Sequence, residues 1–166
     1  MNRGLTILAI SVLAVASLSS GSTIPSSAAG PGAEQFSGVA FFDDSDQCDS
    51  QSVGADFALI MTGDLEGCLY AVIESTKSSP SGTYRESGTE LFVGSFKNAG
   101  EGTFRTHYKF EAKYDDVENL IGKIFGRCQH PILVNSGTGV FDGATGRIDF
   151  KDDVEAGDFH YRGHLR

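Results

Sequence analysis

The sequence predicts an all-β domain of seven or eight short antiparallel strands, closed as a barrel or stacked as a sandwich. Two stretches carry that expectation. From Thr103 to Tyr114, Phe104, Thr106, Tyr108, Phe110, Ala112 and Tyr114 alternate with Arg105, His107, Lys109, Glu111 and Lys113. A sustained period of two places the first set on one face of a strand and the charges on the other, whereas a helix would smear the charges around its cylinder. Near the end of the chain, Phe159, Tyr161 and Leu165 alternate with His160, Arg162, His164 and Arg166 in the same way. Composition agrees: 21 of 166 residues are Gly, 4 are Pro and none is Trp, a mix suited to tight turns between strands.

The elements follow in order. Gly30 to Gln35 is small and polar and reads as a loose lead-in. Apolar runs bounded by Gly, Asp and Ser clusters predict strands at Phe36–Phe42, Ala55–Thr62, Gly67–Ser75 and Tyr84–Val93. The last two are joined by a turn at Lys77-Ser78-Ser79-Pro80-Ser81-Gly82. After Thr103–Tyr114, the segment Asn119 to Val134 carries Leu120, Ile121, Ile124 and Phe125 with two glycines, and fits either a strand or a short helix that Pro131 ends. Ile148 and Phe150 then alternate with Arg147, Asp149, Lys151 and Asp153, and Glu155-Ala156-Gly157-Asp158 reads as the connection of a closing hairpin.

Residues 1–29 read as a secretory signal. Arg3 is the positive n-region, Leu5 to Leu18 the apolar stretch, and Ser27-Ala28-Ala29 the small residues before cleavage at Gly30. The apolar stretch is shorter than the roughly 20 residues a membrane helix needs, and Ser11 and Ser17 dilute it, so export is favoured over anchoring. No later segment is apolar for long enough to span. An extracellular chain tends to pair its thiols, so Cys48, Cys68 and Cys128 predict one bridge and one leftover cysteine, with three pairings open. With 13 Lys and Arg against 22 Asp and Glu, the net charge of −9 argues against nucleic acid as a partner.

One stretch carries a resemblance. Gly137-Thr138-Gly139-Val140-Phe141-Asp142-Gly143-Ala144-Thr145-Gly146-Arg147-Ile148 resembles the allene oxide cyclase and dirigent superfamily. There a "GGSGIFEGAYG" type stretch precedes the final hairpin of an eight-stranded antiparallel barrel. Gly67-Cys68 through Val72-Ile73-Glu74, then Tyr84 and Phe92-Val93-Gly94, are similar to the cyclase's "GLC-VVIEH" and "FYFG" stretches. The cyclase spaces its Cys and Glu by four, whereas Cys68 and Glu74 are six apart, so Cys68 and Tyr70 compete for the family's cavity cysteine. The cyclase's "DLVPFTN" region has no counterpart in Ala33–Leu65. The resemblance therefore implies a closed, calycin-like eight-stranded barrel and not a particular chemistry.

Within such a barrel, Tyr84, Glu86, Gly88, Glu90 and Phe92 share one strand face. Pointing inward, Glu86 and Glu90 would be candidate acid/base residues in a partly apolar cavity. The opposite parity turns Arg85, Ser87, Thr89, Leu91 and Val93 inward and leaves both acids solvated, and it is favoured because Glu is rarely buried unpaired. Asp43, Asp44, Asp46 and Asp49 lack the Gly and bidentate Glu of a calcium loop and read as a solvated turn. His160, Arg162, His164 and Arg166 read as an outward face paired with Asp149 and Asp153 across the hairpin. His107, His130, His160 and His164 show no zinc-ligand spacing with the cysteines, and no GxSxG, HExxH, P-loop or GxGxxG signature is placed for use.

These observations predict a secreted barrel that binds a small hydrophobic molecule without cofactor or metal, with Tyr70, Phe92, Phe104, Tyr108 and Phe110 lining its cavity. A cofactor-free cyclase or isomerase using Glu86 or Glu90, and a packed structural barrel without a cavity, are the alternatives. A homo-oligomer is left open.

Overall fold

The expected strands form and follow one another around a closed ring. The computed structural model describes residues 32–153 and 156–166; residues 1–29, expected to be a secretory signal, and Glu155 of the last hairpin lie outside the described residues. The strands are β1 (Glu34–Phe42), β2 (Phe57–Gly63), β3 (Leu65–Ser78), β4 (Thr83–Phe96), β5 (Glu101–Asp116), β6 (Ile121–Pro131), the two-residue β7 (Thr138–Gly139), β8 (Gly146–Asp153) and β9 (Asp158–Leu165). Eight of them make an up-and-down antiparallel barrel in the order β1-β2-β3-β4-β5-β6-β8-β9, and β9 closes onto β1 from Glu34↔Leu165 to Phe41↔Asp158. The ambiguous segment after Asn119 is therefore strand, not helix; Gly122 and Leu120, both at positive φ, turn the chain into it.

The alternation read from sequence sets the inside of the barrel. On β5, Phe104, Thr106, Tyr108, Ala112 and Tyr114 are buried while Arg105, His107 and Lys109 are exposed. On β9 and β8, Phe159, Tyr161, Leu165, Ile148 and Phe150 are buried in the same manner. Asp149 stands opposite Arg162 across the hairpin as expected, although its carboxylate also pairs with Arg147 at 2.7 Å; Asp153 stands opposite Asp158 and not a cation, so that half of the expected pairing is corrected.

The two ends of the barrel differ. Strand β6 leaves β5 after Lys109↔Gln129, and the chain from Ile132 to Phe141 fills the gap beside the first half of β5. There the Leu133 N–H donates to the Arg105 carbonyl at 2.8 Å and the Arg105 N–H donates to Ser136 Oγ at 3.0 Å. The glycine-rich stretch then turns inward: Gly139 has φ +59°, and a Cβ there would lie 2.2 Å from the Glu101 carbonyl oxygen. This turn drives Phe141 into the barrel, where it is fully buried with its ring 4.9 Å from Phe104 and 5.7 Å from Phe92. Burying one such ring contributes about 1.5–3 kcal/mol. This end is a packed plug of aromatic rings; the opposite end, at Phe42, Phe57, Tyr84 and Tyr114, holds a cavity.

Two ties hold the loops. Asp43 accepts hydrogen bonds from the backbone N–H of Ser45, Gln47 and Cys48, the last at 2.6 Å, and these bonds, the Cys48 one first, hold its carboxyl below the usual range. Cys48 and Cys68 stand at disulfide distance, 1.97 Å between sulfurs and 20 residues apart, which clips this loop to the outside of β3. A loop of that length is worth on the order of 3 kcal/mol when closed by a bridge. Cys128 is buried inside the barrel.

Tyr161 provides the second tie. Its hydroxyl accepts from the buried Leu65 N–H at 3.0 Å and donates to the Thr62 carbonyl at 2.8 Å, pinning the β2–β3 turn to β9. Gly38 makes room for it, since a Cβ there would lie 2.3 Å from the hydroxyl. Burial pushes the phenol up to about 12 from 10.0, so its contribution to stability is intact below pH 10 and is lost as pH rises towards about 12. Tyr161→Phe removes the acceptor of the Leu65 N–H and is expected to cost about 1–3 kcal/mol in denaturant unfolding at neutral pH. The variant should also lose less stability than the wild type across the alkaline window; equal alkaline loss in both would count against this assignment.

Candidate functional site

Three neighbouring strands bring one polar cluster to the inner wall of the cavity. Strand β4 presents Tyr84, Glu86, Gly88 and Glu90, β5 presents Thr106, Tyr108 and Phe110, and β6 presents Cys128 and His130. Register sets Glu90 opposite Thr106, Gly88 opposite Tyr108 and Glu86 opposite Phe110. The favoured sequence expectation, that Glu86 and Glu90 are solvated, is thereby overturned: Glu90 is 4% exposed and Glu86 half-buried, both facing inward. Tyr84 and Phe92 lie on this same inward face of β4, and the period of two turns every second residue between them inward as well.

Glu is rarely buried unpaired, and here neither acid is unpaired. His130 Nδ1 lies 2.6 Å from Glu90 Oε2, with side chains 5% and 4% exposed. The Thr106 hydroxyl donates to the same oxygen from the strand between them. The imidazole is held between Tyr108, ring centroids 5.8 Å apart and nearly parallel, and Phe150 at 4.6 Å. Nearer the mouth, Glu86 accepts one phenol from each side: Tyr84 at 2.5 Å to Oε2 and Tyr108 at 2.7 Å to Oε1. Burial first, and then the hydrogen bond to Glu86, push both phenols well above their ordinary range, so they remain protonated donors.

The cavity in front of this cluster measures about 230 Å³. Phe42, Phe57, Leu59, Phe110, Phe150 and Phe159 form its apolar walls, and the cluster forms its polar side. Space of this order exceeds the roughly 150 Å³ that suffices for benzene in an engineered protein cavity. Among the described residues, no group of three or more His, Cys, Asp or Glu is arranged to hold a metal ion.

The candidate residues from sequence divide into three groups. Glu86, Glu90, Tyr108 and Phe110 come together at the cavity. Phe92 and Phe104 face inward but stack on each other at 4.9 Å in the plugged end, below the cavity and not on its wall. Tyr70 lies on the outer side of β3, because Leu65, Leu69 and Ala71 take the inner positions and Cys68 joins Cys48 outside. His130 was missed as a site residue. Its signal was the alternation of Cys128, His130 and Ile132 with Arg127, Gln129 and Pro131, which puts it on the apolar face; the partner it needs is 40 residues away.

Gly88 is what lets the cluster form. A Cβ there would lie 2.7 Å from Tyr108 Cε1 and 2.0 Å from the Val72 carbonyl oxygen. Gly88→Ala is expected to cost about 1–3 kcal/mol by overpacking and to displace the Tyr108 phenol from Glu86. Because that contact helps raise the phenol, spectrophotometric titration of the variant should show one tyrosine ionising closer to 10.0 than in the wild type. An unchanged titration would mean that Tyr108 keeps its place.

Comparisons of the chain with protein-family models, with curated proteins and with solved structures returned no match.

Proposed function

We propose that this protein binds a small, largely apolar molecule in the open end of its barrel, with the polar cluster of β4, β5 and β6 orienting it. The observation that carries this reading is an apolar cavity of about 230 Å³ walled by aromatic rings and backed by a few converging polar groups. A barrel with one end plugged by Phe141 and the other unfilled has the form of a container. We read the chain as exported: the signal-like pattern of residues 1–29 and the Cys48–Cys68 pair support an extracellular setting. Among the described residues, no helix is long and apolar enough to cross a membrane. The glycine-rich stretch before the last hairpin supports kinship with the allene oxide cyclase and dirigent superfamily.

Titration with naphthalene, followed by its own fluorescence, tests the reading. One site per chain is expected, and Leu59→Trp, which places an indole in the cavity, should abolish it while the protein stays folded. No saturable naphthalene binding, or binding that survives Leu59→Trp unchanged, would overturn the proposal. Native mass spectrometry of protein from its own secreting culture would then identify the natural occupant after denaturation.

A second reading, a cofactor-free isomerase or cyclase, is favoured by one observation: Glu90 and His130 form a buried carboxylate–imidazole pair on the cavity wall. In that reading the pair moves a proton on the bound substrate while the aromatic walls shape it. Once the occupant is known, Glu90→Gln is expected to cut its turnover by at least about a hundredfold with affinity held within a few-fold. Turnover unaffected by Glu90→Gln would sink the catalytic reading and leave the binding one.

A further inference from the structure

Hydrogen-bond accounting at the polar wall constrains the ligand further, on the reading that the cavity binds one. Four donors of the cluster face its carboxylates: the phenols of Tyr84 and Tyr108, the Thr106 hydroxyl and one imidazole N–H of His130. Both phenols are directed at Glu86, and the Thr106 hydroxyl at Glu90 Oε2. That same oxygen faces His130 Nδ1 at 2.6 Å, so with Glu90 ionised the imidazole proton belongs on Nδ1. This tautomer is assigned from the partners of Nδ1. In the neutral ring Nε2 then carries a lone pair and no proton. Nε2 is buried, and no hydrogen bond reaches it from any described residue. An orphaned buried acceptor forfeits the hydrogen bond it had with water, and such groups mark places where a ligand or water completes the network.

We propose that His130, as the uncharged imidazole, is the ligand's anchor through Nε2, and that the ligand is a neutral apolar molecule bearing one hydroxyl, whose O–H it donates to that nitrogen. The phenols of Tyr84 and Tyr108, the Thr106 hydroxyl and the Nδ1 side of His130 already serve carboxylates, so what this part of the wall offers a guest is acceptor capacity. A carboxylate guest would meet Glu86 and Glu90 in a place of low dielectric, with like charges repelling. An ammonium guest carries three N–H donors and a large desolvation cost, whereas the vacancy is a single acceptor on a neutral ring. A hydroxyl matches one for one. Stacking of the imidazole between Tyr108 and Phe150 keeps Nε2 in a fixed place, so the selection is set in advance of binding.

The test is a matched series on one skeleton of suitable size: naphthalene, 2-naphthylmethanol, its methyl ether, 2-naphthoate and 2-naphthylmethylamine, each titrated calorimetrically into the wild-type protein at neutral pH. The alcohol is expected to bind about tenfold tighter than the ether and naphthalene, the yield of one hydrogen bond to a buried acceptor. Naphthoate should bind more weakly than naphthalene. Equal affinity of alcohol and ether would overturn the anchor while leaving the binding reading intact, and tightest binding by the amine or the acid would overturn the hydroxyl assignment. Failure of all five to bind would remove the binding reading itself. Nitrogen-15 NMR of the wild-type imidazole gives a direct reading that needs no variant: Nε2 should resonate as an unprotonated nitrogen and shift on adding the alcohol but not the ether. A protonated Nε2 in the free protein would overturn the proposal. His130→Phe, where it folds, should erase the advantage of the alcohol over the ether and keep naphthalene binding; a surviving advantage would move the anchor to a carboxylate.

Discussion

Closure of the ring, β9 against β1, is the constraint from which the rest of this structure follows. Eight paired residues, from Glu34↔Leu165 to Phe41↔Asp158, join the first strand of the barrel to the last and leave it without a free edge between them. Once the ring is closed, each strand has one inside and one outside, and parity is no longer a local choice. Tyr84 and Phe92 must go in, so Glu86 and Glu90 go in with them. On β3 the same rule turns Leu69 and Ala71 in and Tyr70 out.

Two carboxylates inside an apolar ring would be costly if left alone. The structure meets that cost with donors from adjacent strands: two phenols on Glu86, a hydroxyl and an imidazole on Glu90. The geometry depends on small residues as much as on polar ones. Gly88 leaves space for the Tyr108 ring, and Thr106, on the strand between Glu90 and His130, is short enough for the two to meet above it while its own hydroxyl joins them. A cluster so tied is rigid, and most of its side chains line the cavity.

The asymmetry of the barrel comes from its glycine-rich stretch. Phe141, turned inward between Phe92, Phe96 and Phe104, completes the packing of the lower half. With it, the aromatic content of the chain is divided between a filled end, which stabilises the barrel, and an unfilled end, which leaves room for a guest. Phe92 and Phe104 belong to the first purpose, Tyr108 and Phe110 to the second, although all four face inward.

Much of this was legible in the chain alone. Period-two alternation determined the strands, and for β5, β8 and β9 it also determined the buried face, because one set of residues there is apolar and the other charged. Composition and turn residues determined short antiparallel strands joined by tight turns, as a barrel or a sandwich, and the three cysteines determined that one pair could form. Three things waited for the tertiary structure. Barrel closure decided the parity of β4, where apolar and charged residues occur on both faces and alternation gives no answer. It also placed Phe92 and Tyr108 at different depths, since depth depends on how eight strands stagger and not on any one of them. The site itself required the meeting of Glu90 with His130, 40 residues and two strands away. A lone histidine on an apolar face has no visible partner in a sequence; only folding brings its carboxylate within 2.6 Å and leaves its other nitrogen buried without a hydrogen bond from any described residue.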